Sequence, residues 1–368
     1  MSRTLLVMAA GTGGHVYPGL SIVGELASQG WRIVWLGTPE GIENTLVAKA
    51  GYPLERITFS GLRGKGVVRW LLLPLNLLRA FWQCWRVMLR VKPDVALGMG
   101  GYVTFPGGMM AVLYGAPLVI HESNAVAGLA NRVLAVIADR VLVGFPNAYD
   151  KPIKNALPKL LPKPGNPQWL GNPVRADIAA IAAPAQRYAG RSGPLRVLVV
   201  GGSLGAQGMN KLVVEALAAM AVADRPQVVH QSGAKLFDEL NALYTATGVT
   251  ADVLPYIDDM AARYDWCDVI ICRAGAMTVA EVAAAGVAAI FIPLPYAVED
   301  EQTHNAAFLA DQGAARIAQQ KETAPQKLAD MLKSLTRDVL QAMAEKARAL
   351  GKPDATAHCA AACTGVLK

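Results

Sequence analysis

"LLVMAAGTGGHVYPGL" occupies Leu5–Leu20, and the fold is read outward from it. Its first residues form an apolar run without polar alternation, the pattern of a parallel strand covered on both faces. Gly11, Gly13 and Gly14 follow, and then apolar residues at helical spacing. Strand, glycine turn and helix together place backbone N–H groups and the positive end of a helix dipole where an anion would sit. The turn is not a Walker loop, because the Lys-Ser/Thr ending is missing and His15 follows the glycines. A dinucleotide fingerprint fits poorly. Val16 stands where the third glycine or alanine belongs, and no acidic ribose ligand follows the next strand, which ends in Leu36-Gly37-Thr38.

The opening unit recurs. "VGGSLGAQGMNKL", Val200–Leu212, is a second glycine turn between a strand and a helix. Strands are predicted at Thr4–Met8, Arg32–Leu36, Val95–Leu97, Leu118–His121, Arg140–Val143, Leu195–Val200, Val228–Gln231, Val269–Cys272 and Ala289–Ile292, with helical patterns between them. The expected class is α/β with two doubly wound parallel sheets. The Pro- and Lys-rich stretch Lys151–Arg175 reads as a domain end and linker, and Gly351-Lys352-Pro353 as a second joint before a short helical tail. The domains expected are residues 1–170 with 354–368, and residues 171–353.

A chain of 368 residues, 53% hydrophobic and only 17% charged, has enough apolar material for two cores. Val95–Ile120 carries no charge, but its glycines and prolines argue against a spanning helix. Five cysteines with no C-x-x-C suggest reduced thiols in the cytoplasm, and no secretory signal is evident. The net charge of +7 is local. Arg56–Pro93 holds eight basic residues and no acid, and without those eight charges +7 becomes −1.

A third turn, "CRAGAMTVAEVAAAG" at Cys272–Gly286, is the most specific. Small residues at a helix start leave amides open to phosphate, and Thr278 adds a hydroxyl. Glu281, one turn further in, suits a ribose diol rather than a phosphate. Diphosphate then ribose is the order in a nucleoside diphosphate.

"GTGGHVYPGL", "GMGGYVTFPGG", "HESNAVAGLAN", "GNPVR", "GGSLGA", "YIDDM" and "CRAGAMTVAE", in this order, resemble the MurG family, over nearly the whole chain from Leu5 to about Gly313. The resemblance implies a GT-B architecture, two Rossmann-like domains facing across a cleft, with the C-terminal helix returning to the first. It implies an inverting, β-1,4-forming N-acetylglucosaminyltransferase whose donor is UDP-N-acetylglucosamine and whose acceptor is lipid I, undecaprenyl-pyrophosphoryl-N-acetylmuramoyl-pentapeptide. The product is lipid II for peptidoglycan, made at the cytoplasmic face of the bacterial plasma membrane by a peripheral protein. The first domain would take the acceptor and face the membrane, and the second would take the donor.

By the same resemblance, Thr12, Gly13 and Gly14 form the first domain's binding loop. Asn124, Arg175, Ser203 and the run Ala276, Met277, Thr278, Val279, Ala280 and Glu281 match ligand positions. Ile257 and Tyr256 belong with the uracil, Arg273 with the diphosphate, and Gln302 and Asn305 with sugar hydroxyls. Ser123 and Glu301 depart from the residues many members carry.

Inversion by a single displacement needs a general base near the acceptor. His15 suits that role, since an unperturbed imidazole titrates near pH 6.5, and Glu122 is its rival; orientation of substrate by His15 is the plainer alternative. No cofactor is required. Glu299-Asp300-Glu301 is the only candidate for Mg²⁺, and a solvated acidic loop is the simpler reading. In the basic stretch, Leu78, Phe81, Trp82, Trp85, Met88 and Leu89 follow helical spacing, with Arg79, Arg86 and Arg90 on another side. Trp70, Trp82, Trp85, Arg79 and Arg86 suit the headgroup level of an anionic membrane, and aromatic residues beside aliphatic ones favour lipid over nucleic acid. The competing functions are another GT-B UDP-sugar transferase acting on a membrane glycolipid, a UDP-sugar epimerase, and a UDP-sugar-sensing scaffold.

Overall fold

The computed structural model describes residues 2–59, 72–151, 164–202, 205–295 and 300–367. The chain divides into two compact units, Met1–Val174 with Asp354–Lys368, and Arg175–Pro353.

In the first unit the described residues form strands β1 (Thr4–Ala9), β2 (Arg32–Gly37), β3 (Leu54–Arg56), β4 (Val95–Gly100), β5 (Leu118–Glu122), β6 (Arg140–Val143) and β7 (Gln168–Trp169). Helices α1 (Gly13–Ser28), α2 (Glu43–Lys49), α3 (Leu73–Val91), α4 (Thr104–Tyr114) and α5 (Leu129–Leu134) lie between them. The strands pair in parallel in the order β3-β2-β1-β4-β5-β6-β7. Side chains alternate across a strand, so β1 feeds two cores. Leu5, Val7 and Ala9 pack with Val16, Ile22 and Trp35, whereas Leu6 and Met8 pack with Cys84, Met88 and Ile120 on the other face.

The second unit contains α6 (Ala176–Ala179), α7 (Pro184–Tyr188), β8 (Arg196–Val200), α8 (Gln207–Ala218), β9 (Gln227–Gln231), α9 (Phe237–Thr247) and β10 (Asp252–Leu254). After these come α10 (Met260–Trp266), β11 (Val269–Cys272), α11 (Ala276–Ala285), β12 (Ala288–Phe291), α12 (Glu301–Ala310), β13 (Ala315–Ile317), α13 (Pro325–Lys333) and α14 (Arg337–Leu350). Its parallel order is β10-β9-β8-β11-β12-β13. The last helix, α15 (Ala355–Thr364), places Cys359 and Cys363 in the first unit's core. All five cysteines are free and buried.

The stretch read as linker is partly structural. Gln168-Trp169 adds the edge strand β7, and Asn172 is buried in the first unit, donating to Ser123 O at 3.0 Å. Asn172 fits because Gly144 has no side chain; a Cβ there would lie 2.4 Å from its amide.

In both sheets the strand order reverses beside the first strand, between β1 and β4 and between β8 and β11. Loops at the carboxyl ends of such strands diverge and open a crevice. At the first of these points the β1–β4 register slips between Met8 and Ala9. Gly100 and Gly101 then turn with φ of +112° and +83°. Gly101 is needed for space as well as for φ, because a Cβ would stand 2.3 Å from Ala10 O. Gly30 has the same φ of +83° but open space around it. Gly30→Ala should therefore cost about 1 kcal/mol, the left-handed backbone penalty alone. Gly101→Ala should cost a further ~1–3 kcal/mol for overpacking. Urea unfolding of the two variants checks the difference, and equal losses would refute the close approach.

Candidate active site

The turn after β1 holds its helix open. Thr12 occupies the N-cap of α1 with extended backbone, yet its side chain makes no capping bond. The N–H groups of Gly13 and Gly14 carry no hydrogen bond among the described residues, while His15 and Val16 already donate to Thr12 O. Thr12 Oγ1 instead meets His15 Nδ1 at 3.2 Å. The imidazole lies over Gly100, where a Cβ would stand 2.6 Å from its Cδ2. Burial lowers the pKa of His15 below 6.5, with the Ala10 carbonyl pulling the other way. The ring is thus neutral at pH 7.

The β5 end places His121, Glu122 and Asn124 in one network. Glu122 is buried. Its Oε1 accepts from Asn124 N–H at 2.9 Å, and its Oε2 accepts from Gly128 N–H at 3.1 Å and Asn131 Nδ2 at 2.8 Å. The Asn124 side chain also hydrogen-bonds this carboxylate. Burial raises the pKa of Glu122, and these bonds oppose the rise. Glu122, expected from the sequence as a rival base, clasps its own loop. His121 Nε2 lies 3.0 Å from Gly171 O, and burial lowers its pKa to about 4.

In the second unit the sharpest feature is the start of α11. Gly275 is an N-cap without a side chain. Among the described residues the N–H groups of Ala276, Met277 and Thr278 are unpaired, whereas Val279 N donates to Gly275 O at 3.0 Å. The expected run Ala276–Glu281 therefore divides into three open amides, then Val279 and Ala280 inside the helix, then Glu281. Tyr264 O–H donates to Glu281 Oε2 at 3.1 Å, and Arg175 Nε lies 3.9 Å from Oε1. Burial raises the pKa of Glu281, while Arg175 and then Tyr264 oppose it. Oε1 is left the freer oxygen. Tyr264 was not anticipated; it lies in a helix whose apolar spacing hides a functional hydroxyl.

Other expected ligands hydrogen-bond the turn and its neighbours. Arg273 Nη1 donates to Ile292 O and Pro293 O at 2.9 and 3.0 Å, and Nη2 to Gln320 Oε1 at 2.8 Å. Asn305 is 1% exposed and donates to Ala274 O at 3.1 Å. Gln302 Oε1 accepts from Ala274 N and Leu294 N, at 3.2 and 3.0 Å, which turns its NH₂ outward. In "YIDDM", Asp259 caps α10 through Ala262 N–H at 2.8 Å, Ile257 is buried, and Tyr256 is 51% exposed. No hydrogen bond among the described residues engages the Ile257 backbone. Ser203, Trp70 and Glu299 lie outside the described residues. Among the residues described, no three His, Cys, Asp or Glu side chains converge as a metal site.

On α3 the two readings of the basic stretch coexist. Ala80, Cys84, Val87, Met88 and Val91 are buried. Leu75, Leu78, Trp82, Leu89, Arg79 and Arg86 are exposed, with the Arg86 guanidinium 5.0 Å from the Trp82 ring centroid. Trp85 is half-buried against Tyr114, so it is less available to a surface than expected. No helix of the described residues is long and apolar enough to cross a membrane.

Residues 5–143 match the glycosyltransferase family 28 N-terminal domain, and residues 196–359 match the family 28 C-terminal domain. A UDP-N-acetylglucosamine–N-acetylmuramyl-(pentapeptide) pyrophosphoryl-undecaprenol N-acetylglucosamine transferase of Ralstonia nicotianae is 56% identical, covering 100% of this chain and 98% of its own. The protein of that name from Cupriavidus metallidurans is 58% identical, covering 99% and 98%. The crystal structure of Acinetobacter baumannii MurG matches with a TM-score of 0.85 at 40% identity, over 99% of this chain and 100% of that one. Two Rossmann-like parallel-sheet domains, two family 28 domain matches and full-length identity above 50% converge: the chain belongs to glycosyltransferase family 28 and, within it, to the MurG family.

Proposed function

We propose that the chain transfers N-acetylglucosamine from UDP-N-acetylglucosamine to the muramoyl 4-hydroxyl of lipid I, with inversion at the anomeric carbon, giving β-1,4-linked lipid II. The observation that carries this reading is the start of α11, with three unpaired N–H groups and Glu281 one turn behind them. The amides and helix dipole receive the diphosphate, and Glu281 accepts hydrogen bonds from the ribose diol. The full-length relatives supply the acceptor class.

The second unit binds the donor and the first receives the acceptor. His15 takes the proton of the 4-hydroxyl as oxygen attacks C1 and UDP departs from the opposite face. Its lowered pKa keeps it in the base form at neutral pH. Glu122 shapes the loop that carries Asn124. Charge developing on the leaving diphosphate is met by fixed amides, so the scheme requires no metal ion. The exposed face of α3 rests on the anionic cytoplasmic leaflet of the bacterial plasma membrane, beside the acceptor's lipid tail.

Incubation with UDP-N-acetylglucosamine and a short-chain lipid I analogue should release UDP and add one N-acetylhexosamine to the lipid by mass. Donor binding without that product would move the reading to another acceptor lipid. His15→Ala should lower kcat roughly 10²–10⁴-fold and abolish the acidic limb of the pH–rate profile, which in the parent lies below pH 6.5. A retained limb with normal kcat would exclude His15 as the base.

Glu281→Gln should raise the donor KM about tenfold to a hundredfold, the range for hydrogen bonds to a charged group, and leave the acceptor KM unchanged. The donor KM of the parent should rise with acidity as Glu281 protonates, at a pH above the ordinary carboxylate range. Arg79→Ala with Arg86→Ala should weaken partition onto anionic vesicles about thirtyfold, at ~1 kcal/mol per basic residue, and less at high salt. Unchanged flotation would rule out α3 as the dock.

A further inference from the structure

Beneath the β1 turn lies a carboxylate that the scheme above does not use. Glu43 opens α2 and is 0% exposed. Its Oε1 accepts from Thr38 N–H at 2.8 Å and Thr38 Oγ1 at 2.7 Å, and its Oε2 accepts from Gly11 N–H at 3.1 Å. Two glycines make the space for it. A Cβ on Gly41 would stand 2.0 Å from Oε2, and one on Gly37 would stand 2.7 Å from Cγ. All three partners donate, which suits two acceptor oxygens. An amide would turn an NH₂ toward one of them.

Gly11 N–H and Ala10 C=O belong to one trans peptide, so they point in opposite directions. A hold on the N–H therefore aims the carbonyl. That carbonyl stands against Gly101, where a Cβ would lie 2.3 Å from its oxygen, next to the Gly100 that the His15 ring covers, and it favours the ring's charged form. The remaining space around the ring is tight: Thr12 Oγ1 is 3.2 Å from Nδ1, and Gly100 lies against the ring. The other titratable group electrostatically coupled to the ring is His121, a like charge when both are protonated.

We propose that Glu43 is a positioning residue for His15, acting through the Ala10–Gly11 peptide that links the β2 end to the imidazole. The proposal rests on the reading of His15 as the general base. The carboxylate fixes the peptide plane and the plane fixes the carbonyl. The carbonyl then sets the orientation and basicity of the ring. Such a carboxylate–peptide–imidazole chain does in two steps what a directly bonded carboxylate does in one.

The test has two readouts. The first needs no substrate. The chain has five histidines, and His15→Ala identifies the His15 ring resonance in a proton NMR titration. Glu43→Gln should move its midpoint to lower pH, because loss of the aimed carbonyl disfavours the imidazolium. The second readout is a double-mutant cycle. Glu43→Gln alone should lower kcat on the order of tenfold to a hundredfold with donor KM unchanged, as expected when a catalytic group is misplaced. In the His15→Ala background it should lower kcat by less than about twofold, because the two act as one unit.

An unmoved His15 midpoint, or additive losses, would overturn the proposal and leave Glu43 as a staple between β2 and α2. Should Glu43→Gln fail to fold, Glu43→Asp takes its place. It keeps the charge at the start of α2 but is one methylene short of spanning from Thr38 to Gly11, and the same midpoint shift is expected. A His15→Ala enzyme of full activity would sink the base assignment instead, and the titration would still decide the link between Glu43 and His15.

Discussion

A parallel strand that hands its chain to a helix leaves the helix's first N–H groups without partners. A Ser, Thr, Asp or Asn side chain can cap them. Here α1 and α11 have no such cap: Thr12 makes no capping bond and Gly275 has no side chain to make one. Both turns lie where strand order reverses, at the carboxyl ends of β1 and β11. Leaving these amides open imposes a condition on everything around them. The turn must be held firmly by groups other than the ones kept free.

The surrounding polar residues meet that condition. Glu43 grips Gly11 N–H from below the first turn. Gln302 and Asn305 grip the amide and the carbonyl of Ala274 beside the second, and Arg273 ties the β11 end to Ile292 and Pro293. Glu122 does the same for the loop after β5. Each is buried or half-buried and bonded to backbone, so loss of one would loosen a turn.

The fold was legible because parallel strands buried on both faces advertise themselves as apolar runs. All nine strands expected from such runs form. The four not anticipated, β3, β7, β10 and β13, are the edges of the two sheets. They are two or three residues long and partly solvated, so "LER" and "QW" carry neither length nor apolar contrast. The site was legible to the level of turns but not of side chains. A glycine-rich turn declares an open backbone, whereas "CRAG" or "HESN" does not say whether its polar side chain faces outward or back onto its own loop. Glu43 gave no sign at all, since a buried carboxylate in "GTPEGIEN" reads as surface. Only Gly37 and Gly41, which make room for it, left a trace in the sequence.

The basic helix shows why a bland and a sharp reading need not compete. Its apolar residues occupy more of the circumference than a packing stripe needs. One set, around Cys84 and Met88, fills the sheet's core. The remainder, Leu75, Leu78, Trp82 and Leu89, stays in water at a cost that packing within this unit does not recover. Arginine on the same surface moderates that cost, since its stem covers apolar area while its charge stays hydrated; Arg86 over Trp82 is the visible instance. Apolar side chains ringed by cations are poorly matched to water and well matched to the boundary between acyl chains and anionic headgroups. In the proposed scheme that pairing is the dock beside a lipid-linked acceptor, and α3 offers it without losing any of its core.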